Sequence, residues 1–149
     1  MKRLILAVAI AAAALPGAAL AAKPPVYTAP FSQVGAGGYD VVAYFTAGRP
    51  VKGDPAFSTD WKGARWQFSS AANLSKFKAN PAAYAPQYGG YCAWAVAHDY
   101  TAKGDPLQWR IVGGKLYLNY NADIQSQWVK DIPGYIRQGD ANWPGVLGK

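Results

Sequence analysis

Apolar and polar residues alternate in recognisably different ways along this chain. From Leu4 to Leu15 every position is apolar and uncharged. Further on, Ala64 to Phe68 alternates strictly and places Trp66 and Phe68 on one face of a strand. Trp109–Val112 and Lys115–Tyr120 flank Gly113-Gly114, which predicts a β-hairpin with a two-residue turn suited to positive φ. Lys62-Gly63, between Trp61 and Ala64, is the weaker counterpart of that turn. Each hairpin is followed by a helical pattern. Ser70 is a good N-cap, Leu74 and Phe77 share a face, and Pro81 stops the helix. Asn121 is the matching cap, Ile124, Trp128 and Ile132 form the stripe, and Pro133 ends it.

These matching patterns belong to an internal repeat. Gly37-Gly38-Tyr39-Asp40 recurs as Gly89-Gly90-Tyr91-Cys92, and Lys52-Gly53-Asp54-Pro55 recurs as Lys103-Gly104-Asp105-Pro106. Phe77 matches Trp128, Asn80 matches Asp131 and Tyr84 matches Tyr135, so the offset stays at 51 or 52 residues. The expected organisation is an extended lead-in over residues 22–36 and a domain over 37–144. That domain holds two copies, 37–88 and 89–135, and a C-terminal tail in which Trp143-Pro144 pins the chain to the body. Neither copy can bury its apolar face alone, so the two should pack together about a pseudo-twofold. The fold class is α+β: two tandem ββα-like repeats forming one small domain.

The apolar run near the start reads as an address. Met1-Lys2-Arg3 is a basic n-region, and Ala19-Leu20-Ala21 fits a small-x-small cleavage pattern. Residues 1–21 are therefore expected to be a signal peptide. A spanning helix wants about 20 strongly apolar residues, whereas this run is mostly Ala and is interrupted by Pro16-Gly17. The mature chain is expected in the periplasm with no membrane span. Its loss of Lys2 and Arg3 lowers the formal charge from +7 to about +5. The basic residues are scattered singly, which argues against a nucleic-acid partner. All eight acidic residues are Asp.

Several motifs together resemble the YHS domain family. They are Gly38-Tyr39-Asp40-Val41-Val42-Ala43-Tyr44-Phe45, then Trp66-Gln67-Phe68-Ser69-Ser70, Phe77 and Asn80-Pro81-Ala82-Ala83-Tyr84. The run from Tyr84 to Ala93 is similar to the exported, stand-alone branch of that family. The resemblance implies a small ββα unit related to metal-binding treble-clef modules, which in other branches accompanies copper transport. The thiol ligands it implies fall near Ala43 and on Ser69, and in the second copy near Ala95 and Tyr120. None of these positions is a Cys.

One Cys and one His exclude a disulfide within the chain and a multi-thiolate zinc site. The candidate metal ligands are Cys92, His98 and Asp40, and the ion they would take is copper or zinc. Spacing weighs on the pair: Cys92 and His98 would lie about 20 Å apart along a strand, or about 9 Å apart along a helix and on different faces. Asp40 and Cys92 are equivalent positions, each after Gly-Gly-Tyr. If equivalent loops meet near a pseudo-twofold axis, they would line one cleft with Tyr39 and Tyr91. The 21 aromatic residues keep a ligand cleft in play, with Tyr39, Tyr88, Tyr91 and Trp94 as its walls. No catalytic residue is assigned, because no paired carboxylates, nucleophile elbow or oriented Cys–His dyad is present. The expected function is an exported, non-catalytic YHS protein handling a transition metal. The alternative is a metal-free module of the envelope that binds a small ligand or a protein partner.

Overall fold

A computed structural model describes residues 21–149; the expected signal peptide falls almost wholly outside the described residues. The first copy opens with a 3₁₀ turn at Ala36–Gly38 and a short helix α1 (Ala43–Thr46). It continues through an antiparallel pair, β1 (Asp54–Trp61) and β2 (Ala64–Phe68), then α2 (Ala71–Ala79) and α3 (Pro81–Tyr84). The second copy repeats this order. It has a 3₁₀ turn at Gln87–Gly90, α4 (Ala93–Ala97), the pair β3 (Asp105–Val112) and β4 (Lys115–Asn119), then α5 (Ala122–Trp128) and α6 (Ile132–Asn142). The expected α+β class is thus observed, with two small hairpins and short helices packed as one domain. Among the described residues no helix is long and apolar enough to cross a membrane.

The correspondence extends to backbone detail. Ala36, Gly37 and Gly38 have φ of 50°, 59° and 82°, and Tyr88, Gly89 and Gly90 have 56°, 61° and 84°. Both hairpins carry an irregularity after their first residue, at Asp54/Ser58 and Asp105/Trp109. In each, the opening Asp turns its carboxylate onto the amide two residues on, at 2.8 Å. The Lys-Gly-Asp-Pro segments are therefore turns leading into strands, as expected. Both hairpin turns use left-handed backbone, through Lys62-Gly63 and Gly113-Gly114. Ser70 and Asn121 cap the following helices through Asn73 N and Ile124 N.

Two features depart from the sequence reading. Pro133 does not merely end α5; it lies in the first turn of α6, where its missing N–H has no intrahelical partner to lose. Asp131 caps that helix by accepting from Gly134 N at 3.1 Å. The segment expected as a tail is therefore mostly helix. Asn142 reaches from its end to the carbonyls of Val96 and Ala97. Trp143 does pin the chain, packing at 5.8 Å from Tyr88 and 6.1 Å from Tyr91, and Val146 beyond it is fully buried.

The seam between copies is also not reciprocal. Tyr44 of α1 donates to the Pro106 carbonyl at 2.8 Å and stands edge-on to Trp109. Its equivalent, Val96, packs in the second copy's own cluster under α6. A twofold would require both contacts, and only one is made. The core accordingly forms two clusters that share β4. Leu116 and Leu118 join Trp66, Phe68 and Phe77 on one side, while Tyr117 joins Trp128 and Tyr88 on the other. The lead-in is tied down as well, with Val34 bridging Arg65 and Tyr27 N bonding Gly89 O at 2.9 Å.

Candidate functional site

Asp40 and Cys92 stand at equivalent points, each just before a short helix. Asp40 is fully buried and its carboxylate is saturated. Oδ1 accepts from Val42 N at 2.9 Å and Ala43 N at 3.1 Å. Oδ2 accepts from Ser69 N at 2.8 Å, Ser69 Oγ at 2.6 Å and Asn73 Nδ2 at 2.8 Å. Five donors use the acceptor positions a carboxylate offers. This charge holds α1 to the end of β2 and the start of α2, and no lone pair is left for a metal. Ser69, where the resemblance would put a thiol ligand, is one of its partners.

In the second copy the duties are divided differently. Asn119 occupies the place of Phe68, fully buried at the end of β4. Its Oδ1 accepts from Trp94 N at 3.1 Å and lies 3.7 Å from Cys92 Sγ. Its amide donates to Gln125 Oε1 at 3.2 Å, and Gln125 in turn donates to the Trp109 carbonyl. Asn119 thus replaces the missing carboxylate at the start of α4. Burial pushes the Cys92 thiol up from its ordinary value of 9.0, while the backbone N–H groups of Ala95, Tyr120 and Trp94 pull less strongly the other way. At neutral pH the side chain is a protonated thiol, which is neither a good nucleophile nor a ready metal ligand.

Cys92 is only 1% exposed, yet it forms part of a cavity of about 320 Å³. Trp94, Tyr100, Tyr120 and Ile124 form the walls, and every lining side chain is uncharged. Tyr100 and Tyr120 stand at its mouth, both substantially exposed. The sequence reading named Cys92 and Trp94 here, and the resemblance put implied ligand places near Ala95 and Tyr120, but Asn119, Tyr100 and Ile124 were missed as site residues. Asn119 had a signal, since it is the one polar residue where the first copy has a buried Phe.

The other expected ligands do not converge on Cys92. The segment 92–98 is helical, with Cys92 just before α4 and His98 just after it, so the pair lies about 9 Å apart along the axis. His98 is exposed and stacks on Trp94 at 3.7 Å, with Nδ1 donating to the Trp94 carbonyl at 2.7 Å. Asp40 is committed to the first copy's network. Among the described residues no three His, Cys, Asp or Glu side chains group as a metal site. The four aromatics expected to wall one cleft are likewise dispersed. Tyr39 lies under Lys52, Tyr91 packs in the second cluster with its hydroxyl on the Pro24 carbonyl, Tyr88 lines a different cavity and Trp94 lines this one.

The YHS domain family model matches residues 42–88, which span the first copy from the start of α1 to the turn that opens the second. Residues 42–88 therefore carry a YHS domain, and that family is associated with metal binding. No curated protein matches the chain, and no solved structure matches it.

Proposed function

We propose that this protein is an exported, non-catalytic module of the cell envelope that holds a small, uncharged, largely apolar ligand in the Cys92 cavity. The observation that carries this reading is the cavity's makeup: a neutral buried thiol among aromatic and aliphatic walls, with no charged lining residue. Its volume, about 320 Å³, suits a small organic molecule. Copper and zinc want several thiolate or imidazole donors around one point, and the donors present do not fit such an ion. Catalysis through Cys92 would need a base to take the thiol proton. Its side-chain neighbour is the Asn119 carbonyl oxygen, which is no base. The apolar leader supports export to the periplasm.

The test uses the mature protein and its Cys92→Ser and Ile124→Trp variants. Elemental mass spectrometry is expected to find no stoichiometric metal. Cys92 should react slowly with a thiol reagent at neutral pH and quickly once the protein is unfolded. Indole, as a probe, should slow alkylation of the wild-type thiol further, and Ile124→Trp, which fills the cavity, should abolish that protection. One equivalent of copper or zinc, lost in Cys92→Ser, would overturn the reading in favour of a metal site.

A further inference from the structure

A second cavity, of about 550 Å³, opens where the lead-in, both hairpins and the C-terminal segment meet. The half-buried Trp61 and Trp143 contribute indole surface over the buried Trp66 and Val26, and Lys62 and Lys115 are the charged residues of the lining. No acidic residue lines it among the described residues, and neither lysine is in an ion pair there. Lys62 Nζ sits over the Trp61 ring at 4.7 Å, so one charge is held against the aromatic surface. We propose that this seam is a binding site for a small aromatic anion, its ring against the indoles and its carboxylate or sulfonate between Lys62 and Lys115.

The backbone at Lys62 points the same way. Its φ is 49°, in the left-handed region that disfavours side chains, whereas the equivalent place in the second hairpin is Gly113 at 57°. Glycine would be the unstrained choice in both turns. A lysine held there against local preference puts a cation at the cavity, and strain of this kind gathers at ligand sites. This site shares no lining residue with the Cys92 cavity, so the two readings stand or fall separately.

Calorimetric titration of the mature protein with 1-naphthoate, and with the neutral 1-naphthalenemethanol, tests the proposal. The anion should bind at least about tenfold tighter than the alcohol, and added salt should weaken it. Lys62→Gly removes the charge while relieving the turn, so it should fold at least as well as the wild type yet lose about tenfold in affinity for naphthoate. Lys115→Ala should weaken binding similarly, and Ile124→Trp should leave it unchanged. Equal binding of anion and alcohol, an unchanged affinity in Lys62→Gly, or no binding below about 10 mM would each overturn the proposal. Loss of binding in Ile124→Trp would do so too, by placing the ligand beside Cys92.

Discussion

Asp40→Ala would strand five donors, three of them backbone or side-chain groups from beyond α1, and should destabilise the fold by about 3 kcal/mol in urea unfolding. Asn119→Leu in the second copy leaves Trp94 N and Gln125 Oε1 without a partner and should cost about 2 kcal/mol. The two copies suggest a stricter check. Cys92→Asp together with Asn119→Leu puts an Asp and an apolar residue at the places that Asp40 and Phe68 hold in the first copy. Asn119→Leu should therefore cost less in a Cys92→Asp background, and a double-mutant cycle would read that coupling. Additive effects would mean that the two residues do not share one duty. The equivalence of Asp40 and Cys92 was legible from the Gly-Gly-Tyr repeat. The work of Asp40 was not, because its partners Ser69 and Asn73 lie 29 and 33 residues away. A buried Asp in one sequence looks the same whether its oxygens face amides or an ion.

Among the elements, both hairpins and the helix that follows each of them, α2 and α5, were legible, since glycine-bearing turns, N-caps and alternating aromatics are local signals. α6 was not. Pro133 signals a stop and a start equally well, and Gly134 and Gly139 lower the helical propensity of the segment. Packing holds it: Gly139 passes so close to Tyr88 that a Cβ there would lie 2.5 Å from the phenol oxygen. Two magnitudes then compete. Gly→Ala inside a helix gains about 1 kcal/mol of propensity, but overpacking a tight contact costs about 1–3 kcal/mol. Gly139→Ala is expected to destabilise, and thermal unfolding should show the loss shrinking in a Tyr88→Phe background. A net gain from Gly139→Ala would mean that α6 sits more loosely than this contact requires.

For the molecule as a whole, the shared strand β4 makes the two clusters one cooperative unit, so unfolding by heat and by urea should each give one transition. Alkali should be the sensitive direction. Burial raises Cys92 above its ordinary 9.0 and Tyr44, Tyr88, Tyr91 and Tyr117 above their ordinary 10.0. Between the unfolded and folded values the folded state holds the protons that the unfolded state has released. These groups therefore contribute fully below about pH 9, and stability falls as pH rises above it. Cys92→Ser should remove the earliest part of that fall, and a pH series of urea midpoints would measure it. The one-sided seam between the copies was the least legible feature, because a repeat in sequence fixes what each copy folds into but not which surfaces the copies present to each other. The handover at Asn119 has one further consequence. With the start of α4 held from the neighbouring strand, residue 92 is released from the scaffold duty that binds residue 40. Duplication has left one position free to be re-equipped: small replacements at 92 can change the shape and polarity of the cavity while the other copy keeps the architecture.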